Sequence, residues 1–190
     1  MLSQSQPVMK KLNIVGIAGS VRTKSFSKII LGAIRELLPA QTTFSTIDIG
    51  EIPHYNEDVE KSSLPASVVR SRQAVADSDA VVIVVPEFNH GIPGVLKNAL
   101  DWLSRPAFNS CALNKPVYFV TLSQGALGGV RAQSQMRETL AAMLCVLTPL
   151  PEVAITHVDK KVENSKLADP ATLDFLKKSL QKFIAGAKLS

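Results

Sequence analysis

Only two cysteines occur in 190 residues, Cys111 and Cys145, and neither falls in a Cys-x-x-Cys pair or a Cys/His spacing. That leaves no metal-ligand pattern and no disulfide framework to read. A single bridge stays open, but a chain this long needs none to bury a core. The reducing cytoplasm is the simpler expectation. No apolar run approaches the ~20 residues that span a bilayer. Two phosphate-binding signatures are also missing. A P-loop ahead of Lys24-Ser25 needs glycine at 18 and 23, where the chain has Ala18 and Thr23. Gly16 and Gly19 have the spacing of the last two glycines of G-x-G-x-x-G, but the first position is Ile14.

Acidic residues are in deficit too. There are 16 Asp and Glu against 21 Lys and Arg, a formal charge of +5 and a pI near 9.3. The positive residues are scattered, with no basic block interleaved with aromatics, so nucleic acid is not the expected partner. A mildly basic surface suits anionic small molecules.

What is present is an apolar fraction of 46%, ordinary for a globular domain, and a repeated strand–helix alternation. Residues 1–10 are polar and read as a frayed tail. The run from Leu12 to Ala18 superficially resembles a signal peptide, but it is short and leads straight into Arg22 and Lys24; it reads as a first strand. A helix follows, with Ile29, Ile30, Ala33, Ile34, Leu37 and Leu38 as its buried stripe, ended by Pro39. Further strands are expected at Thr42–Ile49, Asp79–Val85, Lys115–Leu122 and Glu152–Thr156. Further helices are expected at Leu64–Ala76, Pro93–Ser104, Val130–Leu144 and Pro170–Lys188.

Val81-Val82-Ile83-Val84-Val85 shows no polar alternation, as expected of a strand buried on both faces of a parallel sheet. Strands alternating with helices imply a doubly wound α/β domain, because right-handed crossovers put helices on both faces. Five strands at this spacing favour the flavodoxin-like order 2-1-3-4-5, with its switch point between strands one and three. The loops after those two strands then converge on one crevice.

The first of these loops, residues 19–27, supplies Gly19, the hydroxyls of Ser20, Ser25 and Ser27, and Arg22 and Lys24, all ahead of a helix start. Free N–H groups and the positive end of the helix dipole make that an anion site. Equally, Ser25 or Ser27 simply caps the helix. The second loop holds Pro86, Glu87, Phe88, Asn89, His90 and Gly91. Its main chain suits a flat heterocycle, with Phe88 or His90 as an apolar wall. His90 has no Ser or Cys nucleophile spaced to use it, so a general-base role is not expected. A third loop, with Ser123, Gly125, Gly128 and Gly129 before Arg131, is expected at the same sheet edge. Tyr55 is a candidate to stack on a ligand. The broad apolar stripe of Val95, Leu96, Leu100, Trp102 and Leu103 reads as core, with room for a subunit contact.

At these residues the chain resembles the NADPH-dependent FMN reductase family, which includes bacterial quinone and chromate reductases and azoreductase-like enzymes. Residues 19–27 match the family's G-S-x-R-x-x-S-x-N, residues 86–102 its P-E-Y-N-x-x-x-P-G-x-L-K-N-A-x-D-W, and residues 123–131 its S-x-G-x-x-G-G-x-R. Ser27 stands where the family has Asn, and Phe88 where it has Tyr. The resemblance implies a flavodoxin-like fold and bound FMN, with its phosphate held by Ser20, Arg22, Ser25, Phe26 and Ser27. Pro86 to Gly91 would line the isoalloxazine, and Ser123 and Gly125 would close its far edge. It also implies NADPH or NADH as co-substrate, ping-pong hydride transfer to small-molecule electron acceptors, and a homodimer or homotetramer. Two other classes remain open at this point: a flavodoxin-type electron carrier, usually acidic where this chain is +5, and a module that binds a phosphorylated ligand.

Overall fold

The structure is a computed structural model, and it describes residues 11–187 and 189. The expected N-terminal tail lies outside the described residues. Five parallel strands form one sheet in the order β2-β1-β3-β4-β5. They are β1 (Asn13–Ala18), β2 (Thr43–Ile47), β3 (Ala80–Pro86), β4 (Val117–Leu122) and the short β5 (Ala154–Ile155). The helices are α1 (Phe26–Leu37), α2 (Glu57–Ser62), α3 (Ala66–Asp77), α4 (Gly94–Leu103), α5 (Val130–Ala142) and α6 (Pro170–Gly186). An antiparallel pair, β6 (Val162–Glu163) and β7 (Lys166–Leu167), precedes α6.

The fold follows from how β3 is buried. All seven of its residues are buried. Val81, Ile83 and Val85 join the core under α3, α4 and α5, while Ala80, Val82 and Val84 join the core under α1 and α6. Alternate side chains of a strand point to opposite faces, so two helical layers are needed to cover this one. The register Ile14↔Ala80 through Ala18↔Val84 sets β1 beside β3, with β1 ending opposite Val84, two residues before β3 ends at Pro86. That is the switch point at which doubly wound sheets bind ligands.

The chain departs from the sequence reading in three places. The fifth strand shrinks to Ala154–Ile155, the two residues that pair with Thr121 and Leu122 of β4. Helix α2 and the β6–β7 hairpin went unread. None of the α2 residues is buried, so the helix carries no apolar stripe, and β6 and β7 are two residues each. The apolar stripe of the fourth helix is core: Trp102 is 0% exposed and its indole N–H donates to the Pro53 carbonyl at 2.9 Å.

Candidate functional site

The first loop begins where the Gly19 N–H donates to the Val84 carbonyl at 2.8 Å. A Cβ at Gly19 would sit 2.9 Å from Pro86 Cδ and 3.1 Å from the Val84 carbonyl oxygen. Glycine is therefore what lets the loop after β1 lie against the end of β3. Ser20 Oγ accepts from the Arg22 N–H at 3.3 Å, and Ser25 is the N-cap of α1, its Oγ accepting from the Lys28 N–H at 3.3 Å. Ser25 and Ser27, 2% and 1% exposed, share a hydroxyl contact at 3.1 Å. Capping is thus realised by Ser25, but the cap consumes one N–H of the first turn. The Phe26 and Ser27 amides, also in that turn, have no acceptor of their own within the helix. The Phe26 ring turns away to pack on the core, while the side chain of Arg22 is exposed.

In the second loop, Phe88 and Gly91 exchange two backbone hydrogen bonds of 2.9 Å around Asn89 and His90. Both central residues have positive φ, 46° and 64°. That is the tight turn with two left-handed residues, in which Asn is well tolerated and His less so. The turn lifts Phe88 into solvent at 54% exposure, with Asn89 and His90 also exposed. Glu87 points elsewhere. Its carboxylate accepts from the Arg131 and Ala132 N–H groups at 3.0 and 3.2 Å, filling the N-terminus of α5 that the Gly129 cap leaves without a side-chain acceptor. Its other carboxylate oxygen, Oε1, lies 3.8 Å from His90 Nδ1.

One further bond fastens this loop to α5. The Ile92 N–H donates to Gln135 Oε1 at 2.7 Å, and a Cβ on Gly91 would sit 2.7 Å from that same oxygen. In the third loop Ser123 Oγ donates to the Gly125 carbonyl at 3.3 Å. Gly128 and Gly129 carry φ of 61° and 85°, and a Cβ on Gly128 would lie 2.9 Å from the Ala154 carbonyl carbon. The neighbouring strand leaves no room for a side chain there.

The three loops thus meet at the C-terminal edge of the sheet, and the sequence-predicted residues Ser20, Arg22, Ser25, Ser27, Pro86, Phe88, Asn89, His90, Gly91, Ser123 and Gly125 lie on them. Gln135 and His157 escaped the sequence reading. His157, with φ 46°, donates its N–H to the Gly125 carbonyl at 3.1 Å, and its Nδ1 lies 3.2 Å from the Gln124 carbonyl. Its place after the last strand was the one available signal. Tyr55 is not free to stack on a ligand: it meets Trp102 edge-on at 4.9 Å and donates its hydroxyl to Glu60 at 2.8 Å. That bond, followed by burial, raises the Tyr55 pKa. Both cysteines are free thiols, with pKa raised by burial. Among the described residues no helix is long and apolar enough to cross a membrane, and no cluster of His, Cys, Asp and Glu could hold a metal.

Comparison with known proteins identifies the family. The sequence model of the family described as NADPH-dependent FMN reductase matches residues 12–160. A 2-hydroxy-1,4-benzoquinone reductase from a Burkholderia species is 37% identical over 175 residues, covering 92% of this chain and 95% of the relative. A quinone reductase from Escherichia coli K12 is 35% identical over 178 residues, covering 92% and 94%. Among solved structures, FerB, a flavoenzyme NAD(P)H:(acceptor) oxidoreductase from Paracoccus denitrificans, superposes with a TM-score of 0.84 at 29% identity, covering 93% and 97%.

Proposed function

The chain belongs to the NADPH-dependent FMN reductase family, and from that premise we propose that it oxidises NAD(P)H and reduces a quinone-type acceptor in two successive half-reactions on one FMN. The family's enzymes are oxidoreductases that use FMN and NAD(P)H, and so is this one. Bound FMN would supply the hydride chemistry, taking two electrons from the nicotinamide and passing them to the acceptor. The chain's residues bind and orient. The observation that carries the proposal is the meeting of a phosphate-competent helix start with two ligand-facing loops, fixed by the Gly19–Val84 and Glu87–α5 hydrogen bonds.

A phosphate monoester fits the first loop. It asks for several donors around one tetrahedral group, and the Ser20 hydroxyl, whichever of Ser25 and Ser27 keeps its proton outside their mutual bond, the Phe26 amide and the Arg22 guanidinium are such donors. The short turn at Asn89 and His90 supplies backbone groups and the exposed Phe88 ring for the isoalloxazine. Ser123 and Gly125 close its far edge, where an added Cβ on Gly125 would meet only Ser123 Oγ, at 3.8 Å. These residues would hold FMN with one face open to nicotinamide and acceptor in turn, with no side-chain acid or base required, hence ping-pong kinetics. Quinone is the acceptor class we favour, because it is the substrate named for the Burkholderia and E. coli relatives. We further place the enzyme in the cytoplasm as a homodimer or homotetramer, with the subunit contact on the face of α4 next to Phe108, which is 82% exposed.

The test is a visible spectrum of purified protein, repeated anaerobically with NADPH and then with a benzoquinone. Flavin bands that bleach within seconds and return with the quinone are the expected result. Bands that persist would make the protein an electron carrier instead. No bands after adding FMN would end the flavin reading.

A further inference from the structure

On the α1 face of the sheet, beside the first loop, a groove of about 480 Å³ runs between α1 and the edge strand β2. That is the size of a small-molecule site. Its lining includes Ser20, Lys28, Gly32, Arg35, Phe44 and Thr46. Two features, Gly32 and Lys28, have no structural reason inside the domain, whereas Arg35 suits the negative end of the α1 dipole and Phe44 packs on the core.

Gly32 sits in the middle of α1, exposed, and a Cβ there would meet nothing within 4 Å. Glycine at an exposed helix interior costs about 1 kcal/mol relative to alanine. No turn or close backbone approach asks for it, but its bare backbone keeps the groove floor open. Lys28 lies in the first turn of α1, which contains no acidic residue, so its charge opposes the positive end of the helix dipole. Arg35 follows seven residues later on the same face. Neither cation has an ion-pair partner among the described residues. The only carboxylate on the lining, Asp48, is spent on the Gly50 N–H at 2.9 Å. Phe44 supplies an apolar wall: a Cβ on Gly16 would lie 2.5 Å from Phe44 Cζ, so glycine there lets the ring lie against β1.

A groove with two unpaired cations, hydroxyls at its mouth and an aromatic wall suits a flat heterocycle carrying phosphate. We propose that it holds the phosphoadenosine half of NADPH, the ring against Phe44 and the phosphate charge met by Lys28 and Arg35. The assignment rests on the reductase reading above, since the nicotinamide half must reach the flavin. Ser20, on the first loop, is part of the groove's lining, so the groove borders the loop that begins the flavin site. It makes NADPH the preferred reductant over NADH, because only NADPH carries the extra 2′-phosphate.

Adenosine 2′,5′-bisphosphate has this half without the nicotinamide, so it is the probe. Titration calorimetry on the FMN-loaded chain should show binding that competes with NADPH. Arg35→Glu and Gly32→Leu should each weaken the bisphosphate at least tenfold and raise KM for NADPH in step, while FMN affinity and kcat hold. Arg35→Glu should leave KM for NADH unchanged. Leucine is a good helix former, so Gly32→Leu should fold, and a thermal melt checks it. Bisphosphate affinity indifferent to both substitutions, or binding that does not compete with NADPH, would overturn the proposal. A chain that takes up no FMN yet binds the bisphosphate through Arg35 would overturn the reductase reading and uphold the groove.

Discussion

Two glycines of this chain predict opposite outcomes for the same substitution. Gly19 is where the loop after β1 lies against the end of β3, and a methyl group would press on Pro86 Cδ at 2.9 Å and on main-chain oxygen at 3.1 Å. Neither neighbour is the end of a flexible side chain. Overpacking of this kind costs about 1–3 kcal/mol, so Gly19→Ala should lower the urea midpoint of the ligand-free protein. Gly32→Ala adds a methyl group into open space on a helix and should raise stability by about 0.5–1 kcal/mol. Equilibrium denaturation of both variants checks the pair. A destabilised Gly32→Ala would mean that the helix has a local reason for its glycine, and would weaken the case for the groove.

Among the elements, α6 carries an acid-sensitive anchor. Asp169 caps the helix, its carboxylate accepting from the Thr172 N–H at 2.8 Å and from the Thr172 hydroxyl. These bonds, the hydroxyl's first, lower its pKa below the ordinary 3.8. A carboxyl whose folded pKa is depressed contributes stability that is present above the unfolded value and lost as pH falls through the folded one. The wild type should therefore lose stability below about pH 3.8, and Asp169→Asn, which keeps an acceptor but no titratable group, should lose less over the same range. Urea melts at pH 7 and pH 3 compare them; equal acid losses would remove Asp169 from the account.

The same scale shows what the sequence could reveal. Elements that bury an apolar face announced themselves: β3 by five β-branched residues, α1 by its stripe from Ile29 to Leu38. Elements held by other means did not. Helix α2 is stabilised by its Asn56 cap and an exposed Lys61–Glu57 pair, and β6–β7 by a turn through Asn164 and Ser165, both at positive φ. In the site, glycines and hydroxyls were legible because their chemistry is local. The Glu87 cap on α5 and the Gln135 bond to Ile92 link residues more than 40 apart in sequence, and only the packed fold could reveal them.

At the scale of the whole molecule, a ligand that joins loops from β1, β3 and β4 should stabilise everything those strands hold. The sheet is one cooperative core, with β1, β3 and β4 adjacent. A ligand that binds only the folded state contributes about 2.7 kcal/mol at a hundred times its Kd. For a chain of this length that is about 5–10 °C in Tm, taking about 2–4 °C per kcal/mol. Saturating FMN should produce a rise of that size. Arg22 separates binding from folding, because its side chain is exposed and only its backbone is engaged, the N–H with Ser20 Oγ and the carbonyl with the Ser25 N–H. Arg22→Ala should leave the ligand-free Tm where it is and weaken FMN by about tenfold or more, the worth of one hydrogen bond to a charged group. At a fixed FMN concentration its thermal shift should therefore shrink while the starting point stays put. Ser25→Ala should differ in kind: losing the α1 cap costs about 1 kcal/mol, so the ligand-free Tm should fall as well. If both variants kept the full FMN shift, the phosphate would have to be held somewhere other than the start of α1.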